Sequence, residues 1–237
     1  MLKHAFVLRY KSRAFQQKIE KAERQIAAAF EAHFGWHVAF SGGKDSTVVL
    51  DLVRQYKPDI TAIWSDDEWW LPETGEYMDR MRNAGVNVHQ IQTRATHAEW
   101  FSTNQGAEWS GVPEYAASIG SRGCFLGLRA QENGYRRRYL RRYGLLHYAK
   151  CNQQWQCNPI GWWKFDDVWA YIHGRELDYN RAYDRLAEIG IDVHHQRIGP
   201  LACERAVGYG QLAILKMGWP ELFSRFAAAH PEANQYV

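Results

Sequence analysis

Cysteine is scarce: four residues in a chain of 237, at positions 124, 151, 157 and 203. That number and scatter exclude the disulfide framework of a small secreted domain, and the expected setting is reducing and cytoplasmic. No apolar stretch approaches the ~18 residues that a membrane-spanning helix needs, so no membrane partner is expected. The opening M-L-K-H-A-F-V-L-R-Y-K has too short an apolar core for a secretory leader. Neither sign of charge dominates, 29 Lys and Arg against 26 Asp and Glu, and the net +3 singles out no class of partner. There is no internal repeat, linker or low-complexity segment.

The composition that remains, 46% hydrophobic and 23% charged, is that of a soluble globular protein long enough for one large α/β domain or two small ones. Tryptophan is abundant, with eleven copies. The pairs Trp69-Trp70 and Trp162-Trp163 cannot both point inward, which places some indole surface near a site or an interface. Residues 13–34 predict an amphipathic helix, with Phe15, Ile19, Ala22, Ile26, Ala29/Phe30 and Phe34 on its apolar face. Strands are expected at Val38–Phe40, Ile60–Ser65, Val86–Ile91 and Cys124–Leu128. Helices are expected at Glu73–Ala84 and Asp166–Ile172, with a last helical stretch over 205–228 broken at Gly218-Trp219-Pro220. The alternation of strand and helix argues for a parallel, doubly wound sheet. Residues 92–123 read as loop and short helix over the site.

The densest signal is Trp36 to Ser46. An apolar strand stops at Ser41-Gly42-Gly43, and helix-forming sequence starts at Lys44-Asp45-Ser46. Strand, glycine turn and helix make an anion cradle. The glycines let the backbone approach the anion, and the unpaired N–H groups of the helix start face it. Ser41 and Ser46 add hydroxyl donors and Lys44 a point charge. Asp66 and Asp67 stand at the end of the next expected strand as candidate Mg²⁺ ligands, with Asp45 as holder of a metal-bound water or as a helix-start acid. Arg129, at another strand end, suits a bidentate phosphate contact or an ion pair with Glu132. Arg136 is placed to close over a bound nucleotide. The run Arg136 to Arg142 mixes arginine with tyrosine. It suits nucleic-acid phosphates and bases, and equally a solvated helix face.

S-G-G-K-D-S resembles the PP-loop of the ATP-pyrophosphatase superfamily. Three further blocks resemble its phosphoadenosine-phosphosulfate (PAPS) reductase-like branch. They are Asp66 with Leu71-Pro72-Glu73-Thr74, then Gly127-Leu128-Arg129-Ala130-x-Glu132, and then Pro159-Ile160 with Trp163, Asp167-Val168-Trp169, Tyr171-Ile172, Tyr179-Asn180 and Tyr183-Asp184. The resemblance implies an α/β/α sandwich on a mainly parallel doubly wound sheet, with a nucleotide-binding domain over 1–184 and a C-terminal helical extension over 185–237. It implies Ser41, Gly42, Gly43, Lys44, Asp45, Ser46, Asp66, Arg129 and Arg136 as nucleotide-binding residues, with Lys44, Asp45 and Arg129 carrying the chemistry.

The branch's C-terminal E-C-G-[IL]-H tail is absent, and no cysteine follows Cys203. The expectation drawn from these departures is an ATP pyrophosphatase using Mg-ATP. It would adenylate an acceptor for sulfur transfer, like the corresponding component of DNA phosphorothioation systems, with a cysteine-desulfurase-like sulfur donor. A sulfonucleotide reductase using Cys203, or a non-catalytic ATP-sensing protein, are the alternatives. Cys151, Cys157 and Cys203 read as a cluster or persulfide site, or as plain thiols.

Overall fold

The structure, a computed structural model, describes residues 2–66, 69–92, 111–150, 153–199 and 210–237. The expected features at Asp67, Glu68, Trp100, Phe101, Trp109, Cys151 and Cys203 lie outside the described residues.

Six strands make one sheet in the order β3-β2-β1-β4-β6-β5. They are β1 (Trp36–Ala39), β2 (Ala62–Asp66), β3 (Val88–Gln92), β4 (Gly123–Phe125), β5 (Leu146–Ala149) and β6 (Gln154–Cys157). The pairs β1–β2, β1–β4, β2–β3 and β4–β6 are parallel, and β5 alone runs antiparallel, against β6. Central strands covered on both faces must be apolar on both. Trp36, Val38 and Phe40 of β1 and its exit, and Ala62, Ile63 and Trp64 of β2, are accordingly buried. Chain order reverses at β1, whose neighbours are β2 on one side and β4 on the other. Ligands of open α/β sheets lie outside the carboxyl ends of the strands at such a switch point.

Among the described residues ten α-helices flank or extend this sheet. Helix α1 (Leu2–Lys11) and α2 (Arg13–Ala32) lead into β1. Ser12 caps α2 by accepting the Phe15 N–H at 3.3 Å. Phe15, Ile19, Ala22, Ile26 and Ala29 are buried at the expected spacing. Phe34 is the exception: the helix stops at Ala32 and the ring is 93% exposed. Helix α3 (Lys44–Arg54) follows β1, and α4 (Pro72–Asn83) follows β2 with Pro72 in its first turn. Helix α5 (Val112–Ser118) precedes β4, and α6 (Gly134–Tyr143) lies between β4 and β5. Helices α7 (Phe165–Gly174) and α8 (Ala182–Glu188) follow the sheet.

Helix α1 was not foreseen. It packs on α7 through Phe6 against His173 and Tyr10 against Tyr171. The pair is locked by Asp167, whose buried carboxylate accepts from Arg9 at 2.9 and 2.6 Å, from Lys18 at 2.5 Å, and from the Lys164 N–H at 2.7 Å.

The helical extension is present as α9 (Gln211–Gly218) and α10 (Pro220–Ala229), which Pro220 separates, and a 3₁₀ turn over Pro231–Tyr236. It is tied back by the Trp219 indole N–H, which lies 3.0 Å from both oxygens of Glu73, and by Trp69 edge-on to Phe226. Of the pair Trp162-Trp163, Trp163 is buried and Trp162 is half exposed.

Candidate functional site

The site is built where β1 and β4 end. After Phe40 the chain turns through Ser41, Gly42 and Gly43, and α3 begins at Lys44. Gly42 has φ +70°, and a side chain there would meet the Met78 methyl at 2.9 Å, so the turn needs glycine. Hydroxyls hold the turn: Ser41 Oγ accepts from the Gly43 N–H at 3.3 Å and lies 3.2 Å from Ser46 Oγ. Ser46 and Thr47 hydroxyls donate to the Gly43 carbonyl at 2.9 and 3.1 Å. The N–H groups of Gly42, Asp45 and Ser46 have no acceptor among the described residues. The Lys44 N–H is used, donating to the Tyr183 hydroxyl at 3.0 Å.

The β4 exit approaches from the other side. Gly127 lies so close to α3 that a Cβ on it would sit 3.0 Å from the Asp45 carbonyl carbon and the Ser46 nitrogen. Both are backbone atoms and cannot swing away. Gly127→Ala is therefore expected to lower stability by about 1–3 kcal/mol through overpacking, read as a lower midpoint in thermal unfolding.

This approach brings Arg129 to α3. Its Nε donates to Asp45 Oδ1 at 2.5 Å, and Lys44 Nζ lies 3.2 Å from Asp45 Oδ2. One carboxylate thus joins two buried cations. Burial works against the Asp45 and Lys44 charges, yet their attraction for each other, with the Arg129 guanidinium beside Asp45, holds the Asp45 carboxyl below the usual carboxylate range and raises the Lys44 ammonium. The Lys44 head also lies against the rings of Tyr183 (5.4 Å) and Phe165 (5.7 Å). The alternative considered for Arg129, a side-chain ion pair with Glu132, does not form. Glu132 accepts the Arg129 backbone N–H at 2.9 Å and pairs its carboxylate with the Arg136 guanidinium. Arg136 is thereby held at the start of α6, where its own N–H is capped by Asn133 at 2.7 Å.

Asp66 ends β2, and its carboxylate accepts from the Gln90 amide at 2.5 Å. Among the described residues no three His, Cys, Asp or Glu side chains come together as a metal site. Cys157, one of three cysteines considered for a cluster or persulfide, is fully buried in β6, and burial pushes its thiol up. Cys124 is also buried, its thiol pushed up to about 12. Neither is a nucleophile.

Sequence reasoning gave no site role to Tyr183, Gln131 or Tyr77. Gln131 Oε1 accepts the Phe165 N–H at 2.5 Å, which ties the Arg129 loop to α7. The Tyr77 hydroxyl, 3.0 Å from Thr47 Oγ1, braces the first turn of α3. Tyr183 stood in the sequence inside the Tyr179-Asn180…Tyr183-Asp184 block, which was the available signal.

A mainly parallel sheet with a glycine turn and buried cations at its switch point defines an open α/β protein of the nucleotide-binding kind. The model of the phosphoadenosine phosphosulfate reductase domain matches residues 36–206, and the chain belongs to that family. It is 28% identical over 158 residues to the adenosine 5′-phosphosulfate reductase of Anoxybacillus flavithermus, covering 62% of this chain and 66% of that protein. It is 26% identical over 199 residues to the phosphoadenosine 5′-phosphosulfate reductase of Xanthomonas oryzae pv. oryzae, covering 75% and 78%. The crystal structure of phosphoadenylyl-sulfate (PAPS) reductase from Candida auris, in a phosphate complex, superposes with a TM-score of 0.54 at 15% identity. It covers 79% of this chain and 95% of that one, and shows the shared α/β/α sandwich.

These relatives overturn the expectation of an ATP pyrophosphatase: the matched proteins are sulfonucleotide reductases. The physical reason is that a glycine cradle reports an anion and not which bond beside it breaks. Amides, hydroxyls and an ammonium suit a pyrophosphate and a phosphosulfate equally. Among the described residues no helix is long and apolar enough to cross a membrane.

Proposed function

We propose that this protein is a sulfonucleotide reductase. It binds an adenylyl sulfate in the Ser41–Ser46 turn, with Lys44 and Arg129 at the anionic groups, and releases sulfite. The observation that carries this reading is family membership over residues 36–206, together with two buried cations meeting at the switch point.

The reaction needs a thiolate. With Cys124 and Cys157 sealed in the sheet, the chain's remaining thiols are Cys151 and Cys203, and Cys203 falls within the matched residues. In the proposed step the Cys203 thiolate attacks the sulfuryl sulfur. The S–O bond to the phosphate breaks, and the adenosine phosphate leaves with the bonding electrons. A second thiol, from an added dithiol, then attacks the Cys203 sulfur. Sulfite leaves and a disulfide forms, so two thiols supply the two electrons. Lys44, Arg129 and the free amides of the turn stabilise charge on the departing phosphate.

The test is sulfite release from PAPS and from adenosine 5′-phosphosulfate, side by side, with dithiothreitol as reductant. Sulfite is expected from one of them, falling to the uncatalysed rate in Cys203→Ser and unchanged in Cys151→Ser. ATP with Mg²⁺ is expected to yield no AMP. Absence of sulfite from both sulfonucleotides overturns the reading.

A further inference from the structure

The proposed bond-breaking step uses no residue of helix α6, and the composition of this helix is unlike that of the chain as a whole. Its ten residues, G-Y-R-R-R-Y-L-R-R-Y, hold five arginines and no acid, in a chain otherwise close to balance. Leu140 is its buried residue. At about 3.6 residues per turn, the side opposite Leu140 presents Arg138 and Arg142 in one row, with Arg141 beside them. Arg136 is engaged by Glu132, and Arg137 donates to the Ala130 carbonyl at 3.4 Å. Arg138, Arg141 and Arg142 are exposed and form no ion pair among the described residues. Arg137 with Arg141 and Arg138 with Arg142 are like charges four residues apart, a mildly destabilising arrangement that an anion along the face relieves.

Beside the arginine row runs a row of rings. Tyr135, Tyr139 and Tyr143 follow at steps of four, with centroids 6.4 and 4.9 Å apart, and His147 of β5 continues it 5.6 Å from Tyr143. Tyr135 is 69% exposed and Tyr143 46%. The Arg142 guanidinium lies 5.2 Å from the Tyr143 ring centroid, a contact within the helix, whereas the Tyr135 ring is left largely exposed. An acidic protein surface would match the arginines and could pack on a tyrosine, but rings at steps of four beside a row of arginines repeat along the helix as bases and phosphates repeat along a strand. Unpaired bases stack on rings while their phosphates meet guanidinium groups, and a duplex keeps its base faces covered.

We infer that the outer face of α6 binds single-stranded nucleic acid, with phosphates on Arg138, Arg141 and Arg142 and bases on Tyr135 and Tyr143. The helix spans about 15 Å, room for a few nucleotides. It starts at Gly134, five residues beyond Arg129, so the strand would run outward from the rim of the nucleotide site.

The test is fluorescence anisotropy of a labelled oligothymidine with the full chain. Three phosphate contacts give a salt slope near −2, hence about a 20-fold loss of affinity between about 50 and 200 mM salt. The combined Arg138→Gln, Arg141→Gln, Arg142→Gln variant is expected to lose at least about tenfold in affinity and to flatten that slope. Tyr135→Ala with Tyr143→Ala is expected to weaken binding by at least about 30-fold while leaving the slope in place. Every substituted side chain is exposed, and matching thermal melts confirm that the variants fold. No anisotropy change overturns the proposal, as does binding indifferent to the arginine changes. Tighter binding to the duplex also overturns it. Binding that ignores the tyrosines and is displaced by polyglutamate assigns the face to an acidic protein instead.

Discussion

Asp45→Asn is expected to unfold well below the wild-type temperature when no ligand is bound, by the equivalent of about 3–5 kcal/mol. The substitution keeps the shape of the side chain and removes only its charge. Lys44 and Arg129, both nearly buried, then face each other with no counter-charge. The variant is expected to recover more stability than the wild type when inorganic phosphate or an adenylyl sulfonucleotide is added, because the anion replaces the lost carboxylate. Thermal melts of both proteins across a phosphate series measure this. Equal ligand responses would show that anions bind elsewhere.

The same cluster sets a pH window. The Asp45 carboxyl is depressed, so its contribution is complete above the unfolded value near 4 and is lost as pH falls through the lower folded value. The Lys44 ammonium is raised, so its contribution is complete below about 10.4 and is lost as pH rises through the higher folded value. Stability from the cluster is therefore level across neutral pH and falls at both extremes.

Asp167→Asn is the second large effect, and it is structural. The carboxylate is wholly buried and takes four hydrogen bonds from three residues, two of them cations. Arg9 and Lys18 are each more than a third exposed, so water screens part of the attraction. We expect a loss of about 2–3 kcal/mol, which for a chain of this size lowers the melting temperature by roughly 5–10 °C. Because Asp167 is what fastens α1 to α7, the variant is also expected to be cut by protease within the first eleven residues at concentrations that leave the wild type intact. Burial opposes the Asp167 charge, but the bonds from Lys18, Lys164 and Arg9 outweigh it and hold the carboxyl below its ordinary value. The wild type is thus expected to lose this difference as pH falls below about 4, where the two proteins converge. A melting temperature for Asp167→Asn within a degree of wild type at neutral pH would sink the argument.

The parts of the fold that could be read from sequence are those whose cause is local. The β1 turn announced itself because an apolar run, two glycines and a helix start are adjacent. Helix α2 showed its stripe because twenty residues repeat it. The β5–β6 pair was missed because each strand has only four residues, L-H-Y-A and Q-W-Q-C, too short a run for alternation to stand out. Helix α1 was missed because what makes it pack is a carboxylate more than 150 residues away. At the site, Lys44, Asp45 and Arg129 could each be named from sequence, but not their arrangement. Arg129 has an acid three residues on, so a local pair with Glu132 looked natural. The sheet instead delivers it to Asp45, 84 positions earlier. The substrate was misread for a different reason. Acids near Asp66 argued for Mg-ATP, while the cradle itself carries no information about the leaving group.

One consequence follows from the single carboxylate shared by two cations. The three side chains together carry one net positive charge where an unmasked pair would present two. Long-range attraction of a polyanionic nucleotide is correspondingly modest, and the rate of encounter depends on diffusion and orientation more than on ionic strength. Discrimination then comes after contact, when the incoming anion competes with a side chain already in place, so that a ligand able to offer only a single weak charge gains little by entering.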